Sequence, residues 1–332
     1  MANPASNLHV DNYLSNMLVA YTNPDVSYGH LKVPSVTSEH ESGLYPVYSK
    51  NSWMSDDAKP RARSTESEGG GWSISQGSFK CIPYSFKHDI DVDDANNADP
   101  PIDLETDAAI LCANKLLIRN ERAFATDVFA ASKFTGYTDQ AGVSSNPSTN
   151  QFLQWNDYSS NPGADIEALK SLIQSTTGFT PNALFVGGNV NAKLRHNAAV
   201  MDRIKYTTKA LSPEITDELM AQYFGVKLYV PCGAAYSSSL EGATTVMAYA
   251  VGGKTFLLAY LDLGPGLGLA NMNIRPTAFA AIRYNLPESV KGKRVQKYWI
   301  PEKKSTRVEN DESFVYKVVA TDLAIYASAV VA

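Results

Sequence analysis

The stretch from Pro100 to Phe134, PPIDLETDAAILCANKLLIRNERAFATDVFAASKF, is the longest uninterrupted helical pattern in a chain otherwise broken every few residues by Gly, Pro, Ser and Asn. Asp99 or Asp103 can cap its start, and Gly136 is a suitable stop. At 1.5 Å per residue, about thirty residues span roughly 45 Å. The stretch therefore predicts one long helix that crosses the molecule. A three-then-four spacing puts most of the following residues on one stripe, with the Lys and Arg stems able to lie along its edge: Ile102, Leu104, Ala108, Leu111, Lys115, Ile118, Arg122, Ala125 and Phe129.

The composition is that of an ordinary globular protein. With 332 residues, 44% of them hydrophobic, the chain is long enough for about two domains with substantial cores. A net charge of −5 and a pI near 5.6 argue against a dedicated nucleic-acid-binding protein. Three cysteines without a paired spacing favour neither a disulfide framework nor a zinc site. Neither a secretion signal nor an apolar segment of membrane-spanning length is evident, so we expect no membrane partner.

The residues before the helix predict an arm and a hairpin. Residues 1–37 mix short apolar groups with Asn, Ser and Pro, which indicates an extended arm. Strand-like segments at 43–49 and 72–92 flank a polar, charged stretch that ends in three glycines. We interpret them as a long two-stranded hairpin with a mobile tip. Two strands bury too little surface to be stable alone, so such a hairpin needs another surface, for example a neighbouring subunit.

A polar segment rich in Gly, Ser, Asn and Pro follows the helix and marks a domain boundary. A mixed α/β region comes next, and from Leu269 onward the sequence predicts mostly strands. Gly252 and Gly253 have the sequence of a hairpin turn between strands at 244–251 and 254–264. The α/β region is predicted to contain strands at 183–188 and 226–231, with helices at 165–178, at 190–205 capped by Asn189, and at 213–225 capped by Ser212.

Two glycine-containing segments resemble nucleotide-binding motifs only superficially. AYAVGGKT, residues 248–255, has Ala248 where a phosphate-binding loop needs glycine, and a strand-like segment follows where a helix is required. GPGLGLA, residues 264–270, lacks the spacing of a dinucleotide fingerprint. We interpret the first as a hairpin turn and the second as a loop, and the sequence predicts no cofactor.

An acidic cluster at residues 88–99 precedes the helix. Asp89, Asp91 and Asp93 have the opening spacing of a calcium loop, but Asp94 replaces its turn glycine and Pro100 its bidentate glutamate. The acids therefore fit better as a solvated approach to the helix N-terminus or as partners for a basic surface on another subunit. No nucleophile, zinc-ligand or paired Cys–His motif is present, so we predict no metal site and no enzyme.

Basic residues form two groups. Lys59, Arg61 and Arg63 lie in the hairpin tip among Asp56, Asp57, Glu66 and Glu68. The second group, near the C-terminus, includes the aromatic residues Tyr298 and Trp299 and the cations Lys291, Lys293, Arg294, Lys297, Lys303, Lys304 and Arg307. Each group can be a solvated face. The tip can also make charged subunit contacts, and the second group can make such contacts or face packaged nucleic acid.

The order of parts resembles the major capsid protein of tailed bacteriophages, whose fold is named after phage HK97. The resemblance covers nearly the whole chain and is carried by segments 45–72, 88–109, 176–207 and 314–332. It implies an α+β, HK97-like capsid fold. Its parts would be an N-terminal arm at 1–40, an extended E-loop at 41–86, a peripheral domain at 87–214 with a spine helix at 101–134, an axial domain at 215–270, and a β-rich return to the peripheral domain at 271–332.

The same resemblance implies a function. The chain would be a structural subunit that self-assembles through hexamers and pentamers into an icosahedral head enclosing double-stranded DNA, which it contacts without sequence specificity. Portal and scaffolding proteins would be partners, a decoration protein is left open, and assembly in the host cytoplasm would place the chain in the virion capsid. Expected subunit-interface residues are Trp53, Lys59, Arg61, Arg63, Glu66, Glu68, Trp72, Asp89, Asp91, Arg203 and Lys205.

Two departures and two alternatives accompany this interpretation. Some relatives carry a helical scaffolding segment before the arm, so its absence here predicts a separate scaffold or a removed segment. Lys59 has the position of a cross-linking lysine, but its partners cannot be identified, and cross-linking stays unassigned. An encapsulin-like nanocompartment shell uses the same fold. An α/β enzyme that uses the acidic cluster or the glycine loop with a metal or nucleotide is the alternative of a different class.

Overall fold

The structure is a computed structural model that describes residues 9–10, 27–48, 54–71, 73–97, 103–207, 215–239, 244, 246–264, 276–287, 289 and 292–332. Its helices are α1 Val92–Asn97, α2 Leu104–Asp127, α3 Pro162–Thr177, α4 Gly188–Leu194, α5 Ala198–Thr207 and α6 Asp217–Phe224. Its strands are β1 His9–Val10, β2 Ser35–Ser38, β3 Ser42–Tyr48, β4 Ile74–Lys80, β5 Ile82–Asp91, β6 Gln140–Val143, β7 Gln151–Leu153, β8 Ala183–Gly187, β9 Leu228–Cys232, β10 Ala235–Ser237, β11 Met247–Tyr249, β12 Phe256–Ala259, β13 Phe279–Tyr284, β14 Lys293–Ile300, β15 Ser305–Val318 and β16 Ala324–Ser328.

The long helix α2 begins as predicted but ends early. The Asp103 carboxylate caps it by accepting hydrogen bonds from the backbone N–H groups of Glu105 and Thr106. The helix stops at Asp127, so its 24 residues span about 36 Å rather than 45 Å. The prediction of one helix to Phe134 is therefore wrong. After Asp127 the chain turns, and both Phe129 and Phe134 are buried in the core. A helix that continued to Phe134 would carry these two side chains past the core.

The predicted stripe of α2 is only partly correct. Ala108 and Phe129 are buried, but Leu111 is 39% exposed, and Ile102 lies outside the described residues. The true stripe includes Asn120 and Glu121, two polar residues that a hydrophobic pattern does not select but that have buried partners. The buried side chains of α2 are Ala108, Ala109, Cys112, Ala113, Leu116, Leu117, Asn120, Glu121, Ala123 and Phe124.

A six-stranded sheet forms the surface on which α2 lies. Its strand order is β1-β14-β15-β13-β2. Strand β5 also pairs with β15, along residues Ser305–Phe314. Val308 of β15, Val295 of β14 and Ile90 of β5 pack together with small residues of α2, including Ala109. The small helix residues let α2 lie close to the long central strand.

The second six-stranded sheet has the order β7-β6-β16-β12-β8-β9 and carries helices α3, α4, α5 and α6 on one face. Trp155 stacks on Phe256 of β12 with 4.9 Å between ring centroids. The other face of this sheet meets the first sheet through Phe124 of α2, Phe185 of β8 and Phe279 of β13. The aromatic cluster joins the long helix and both sheets in one core.

Two helices of the α/β region differ from their predictions. The helix predicted at 190–205 is two helices, α4 and α5, separated by residues 195–197. Asn189 lies inside α4, whose N-cap is Gly187, so it is not the cap. The Asn197 side chain caps α5 by accepting from the N–H groups of Ala199 and Val200. Helix α6 is capped by the Thr216 hydroxyl; the predicted cap Ser212 lies outside the described residues.

The hairpin predicted around Gly252 and Gly253 is wrong. Strand β11 pairs with β10, whereas β12 pairs with β8 and β16 in the second sheet. All four residues of β12 are buried, so this strand takes a central place instead of pairing with its sequence neighbour. The two glycines pass directly over Gly187, where an added Cβ would overlap the Gly252 carbonyl oxygen.

The strands before α2 follow the prediction with one correction. Strands β3 and β4 form the predicted antiparallel hairpin, with Leu44 opposite Ser78. The single strand expected at 72–92 is interrupted at Cys81, whose N–H donates to the Glu41 carbonyl oxygen. Beyond this point β5 leaves the hairpin and joins the first sheet, where it pairs with β15.

Candidate subunit-contact surface

The base of the β3–β4 hairpin is fixed to the first sheet by one of its faces. Tyr45 and Phe79 are each 4% exposed and pack against Val36, Ala280 and Ile282. Gly77 lies opposite Tyr45, and an added Cβ there would overlap the tyrosine ring. The alternation of a strand therefore gives the hairpin one face that is anchored within the chain.

The opposite face of the hairpin is open. Leu44 is 61% exposed and Ile74 is 51% exposed, with the polar Ser78 and Lys80 beside them. Within the described residues, this sheet contains β3 and β4 alone. A two-stranded ribbon with apolar side chains on its free face leaves surface that another protein can cover. We refer to Leu44, Ile74, Ser78 and Lys80 as the open hairpin face.

Residues 54–71 form an irregular, exposed tip at the end of the hairpin. The Lys59 amine lies 3.5 Å from the Glu68 carboxylate, and both side chains are at least 60% exposed. An ion pair in such a position contributes little to the stability of the chain. Arg61, Arg63 and Glu66 are also exposed. Trp53 and Trp72, which the sequence predicts at the interface, lie outside the described residues.

Asp89 is engaged within the chain. Its carboxylate accepts hydrogen bonds from Arg307 at 2.6 and 2.9 Å and from the Lys303 amine at 3.1 Å. The hydrogen bond with Arg307 is the main reason that the pKa of the Asp89 carboxyl lies well below its usual range. The opening residue of the calcium-like spacing is therefore half of an internal ion pair.

An acidic cleft of about 440 Å³ lies between β5 and the first turns of α2. Its apolar lining includes Leu104 and Ala108, and its acids include Asp91, Asp94 and Asp107. No ion pair involves these three acids in the part of the chain that the structure describes. Asp91 accepts a hydrogen bond from the Asp93 N–H at 2.9 Å. Among the described residues, no group of His, Cys, Asp or Glu side chains is arranged to hold a metal ion.

Several cations of the C-terminal basic group have acidic partners within the chain. Arg294 pairs with Asp311 at 2.7 Å, and Lys297 pairs with Glu105 of α2 at 2.6 Å. Burial lowers the pKa of Lys293 to about 8. With Lys303 and Arg307 occupied by Asp89, this group is a set of internal contacts more than a free basic surface.

The remaining predicted residues are separate from the hairpin. On α5, the Arg203 guanidinium lies over the ring of Tyr223, 5.5 Å from its centroid. Lys205 belongs to the same helix, and its side chain lies outside the description. In the glycine-containing turn, the Thr255 hydroxyl donates to the Gly252 carbonyl oxygen at 2.7 Å and strand β12 follows. The turn therefore lacks the helix that a phosphate-binding loop requires.

A long helix across a six-stranded sheet, a projecting hairpin before it and a second α/β unit after it together define the α+β fold of tailed-phage major capsid proteins, the HK97-like fold that the sequence predicts. A phage-related protein from Bordetella bronchiseptica matches with a TM-score of 0.70 at 17% identity over 98% of this chain and 99% of that chain.

Two further solved structures support the same fold. The capsid of cyanophage P-SCSP1u matches with a TM-score of 0.56 at 12% identity, over 93% of this chain and 90% of that one. A virus-like particle from Pyrococcus furiosus matches with a TM-score of 0.55 at 11% identity, over 96% and 100%. No protein-family model and no curated protein sequence matches the chain. Within the described residues, no helix is both long and apolar enough to cross a membrane.

Proposed function

We propose that the chain is the major capsid protein of a tailed phage, a structural subunit that self-assembles into an icosahedral head. The observation that carries this proposal is the hairpin, which is anchored to its own sheet by Tyr45 and Phe79 and leaves Leu44 and Ile74 open on its other face. On a capsid fold, such a hairpin has the form of a strap that lies over a neighbouring subunit. This role requires no active site, and we infer that the chain is not an enzyme.

The strength of such a shell comes from repetition. A hairpin that covers a neighbour converts an unpaired strand edge and exposed apolar side chains into contacts between subunits. One contact of this size is weak, but each subunit of a closed shell gives one and receives one. The combined avidity makes the shell far more stable than any single contact.

We further propose that the basic part of the hairpin tip meets the acidic cleft of a second copy. Lys59, Arg61 and Arg63 are exposed at the tip, and Asp91, Asp94 and Asp107 surround a cleft with an apolar lining. Opposite charges would steer the two surfaces together and fix their register. Asp89 is omitted because Arg307 occupies it. The other predicted interface residues keep that role as proposals: Trp53, Glu66, Glu68, Trp72, Arg203 and Lys205.

Charge exchange tests this contact. Arg61→Glu with Arg63→Glu should reduce assembly by placing acids against acids, and Asp91→Lys with Asp94→Lys should do the same with the opposite sign. The quadruple variant should recover assembly in part, because its charges are again complementary. Glu39→Lys with Glu41→Lys is a matched control, since both are exposed acids outside the cleft. If the quadruple variant assembles no better than either double variant, the tip does not bind this cleft.

The remaining partners follow from the same role. A phage head encloses double-stranded DNA, which the inner surface would contact without sequence specificity. Assembling and filling a phage head requires scaffolding and portal proteins, which we propose as further partners. We propose that the chain assembles in the host cytoplasm and ends in the virion capsid. Particle contents separate this role from a protein-loaded nanocompartment. Nuclease-resistant DNA in mature particles supports the phage head, whereas particles of one small diameter that hold an enzyme and never DNA would support the nanocompartment.

A further inference from the structure

Glu121 of α2 is buried and holds a segment from the N-terminal part of the chain. Its side chain is fully inaccessible to solvent. One carboxylate oxygen accepts from the Gly29 N–H at 2.9 Å, and the other accepts from the His30 N–H at 3.0 Å and from the His30 ring Nδ1 at 2.6 Å. A single carboxylate in the long helix therefore binds the short 3₁₀ turn at Gly29–Lys32 through three donors.

The segment 27–33 fits this place closely. An added Cβ on Gly29 would lie 2.7 Å from the Cys232 sulfur and 3.0 Å from the Phe124 ring, so the backbone approaches α2 and the end of β9 directly. The Ser27 carbonyl oxygen accepts from the Gly233 N–H at 3.2 Å. The segment thus joins the long helix to the second sheet, and its release would open both contacts.

Charged groups from several elements act on His30. Glu121 of α2, Arg283 of β13 and Lys293 of β14 act on it directly, and Glu312 of β15 is linked to the site through its ion pair with Arg283. Arg283 and Glu312 form an ion pair, and the second Glu312 oxygen accepts from the Asn120 side chain at 2.7 Å. The Tyr28 ring lies 5.8 Å from the His30 ring, the Cys232 thiol lies beside Gly29, and the Tyr316 hydroxyl donates to the Asn120 side-chain oxygen.

The charges balance when His30 is neutral. Glu121 and Glu312 supply two negative charges, and Arg283 and Lys293 supply two positive charges. Neutral His30 can donate its Nδ1 proton to Glu121 without changing this balance. Protonated His30 would be a third cation in a region closed to water. Burial is the main cause that lowers the pKa of His30, Glu121 opposes the shift, and Arg283 and Lys293 add to it.

We propose that His30 and Glu121 form an acid-sensitive latch, which at mildly acidic pH releases residues 27–33 from the long helix. The released histidine has its ordinary pKa of about 6.5, whereas the latched histidine has a lower one. Above pH 6.5 the histidine is neutral in both states, so protonation does not favour release. As the pH falls below that value, the released histidine binds a proton that the latched histidine does not bind, and release becomes more favourable. The equilibrium constant for release should rise by up to about tenfold per pH unit in this window.

Hydrogen exchange of the full-length, unassembled chain tests the latch. Between pH 6.5 and 5.5, after correction for the intrinsic exchange rate, the protection factor of residues 27–33 should fall by up to about fivefold, because the first pH unit starts at the pKa of the released histidine. Protection of β8 and β12 should stay constant. An unchanged protection factor for 27–33 would overturn the proposal, and so would an equal fall in β8 and β12, because that result means global unfolding.

Variants separate the latch from simple packing. His30→Gln keeps a side-chain donor but cannot titrate, so protection of 27–33 should be lower at pH 7.5 and independent of pH down to 5.5. His40→Gln is the matched control, because His40 is exposed and close in sequence, and it should keep the wild-type pH dependence. A wild-type slope in His30→Gln would refute the role of His30. The wild-type pH series decides the question even if His30→Gln does not fold.

Discussion

Substitutions on the open hairpin face should weaken assembly while leaving the folding of the single chain nearly unchanged. Leu44→Ser combined with Ile74→Thr removes its apolar side chains and leaves small hydroxyl side chains on an exposed strand face. Leu44 is 61% exposed and Ile74 is 51% exposed in the single chain. A fully buried side chain of this kind contributes about 1.5–3 kcal/mol, so the exposed part of each could add about 1–1.5 kcal/mol on being covered. The pair should therefore weaken each subunit contact by about 2–3 kcal/mol, or about 30- to 150-fold in dissociation constant.

The assay is assembly against subunit concentration, followed by light scattering and sedimentation, together with denaturant unfolding of the unassembled chain. The variant should unfold within about 1–2 kcal/mol of wild type, because only the already buried part of each side chain is lost within the chain. Leu172→Ser on α3, at 39% exposed, is a matched control away from the hairpin and should assemble normally. A wild-type concentration dependence for the double variant would show that the open hairpin face is not covered in the shell.

Three further predictions concern the fold itself. Phe79→Ala should lower the free energy of unfolding by about 3–5 kcal/mol, measured with denaturant, because Phe79 is 4% exposed beneath the hairpin; an effect below about 1 kcal/mol would refute its anchoring role. Gly187→Ala should destabilise the chain by at least about 1–3 kcal/mol, since the new Cβ overlaps the Gly252 carbonyl oxygen; a wild-type melting temperature would contradict this. Asp89→Asn should reduce the loss of stability below about pH 4, because the pKa of the Asp89 carboxyl is depressed, and the stability it contributes is present above that pH and lost as the pH falls. An acid-unfolding profile identical to that of wild type would exclude this contribution.

Local sequence signals predicted the parts of the fold that local physics determines. Asp103 is a capping residue directly before a helical pattern, and it caps α2. Strands β3 and β4 and the buried strand β8 were also predicted from composition and alternation. These features depend on backbone propensity and on the pattern of neighbours a few residues away.

Partners that are distant in sequence could not be predicted. Strand β12 pairs with β8 and β16 instead of β11, because its side chains fill a central position in the second sheet. Asn120 and Glu121 look like solvent-facing residues on a helix, and their burial depends on β15 and on the segment around His30. No residue close to Asn120 or Glu121 in the sequence indicates that they contact β15 and the segment around His30.

The candidate site shows the same limit. The exposed charges at the tip were visible in the sequence, since Lys59, Arg61 and Arg63 lie in a polar segment with several acidic residues and few apolar ones, where burial is improbable. The spacing of Asp89 and Asp91 was also visible, but the Arg307 partner of Asp89 is 218 residues away. A lone histidine such as His30 gives no sequence signal, because its role depends entirely on what surrounds it.

Electron microscopy of the purified chain under assembly conditions tests the central claim most directly. Closed icosahedral shells should form, and their reconstruction should place the β3–β4 hairpin of each subunit over a neighbour with Leu44 and Ile74 covered. A discrete monomer or small oligomer as the only species, or a shell in which the open hairpin face remains exposed to solvent, would contradict the account.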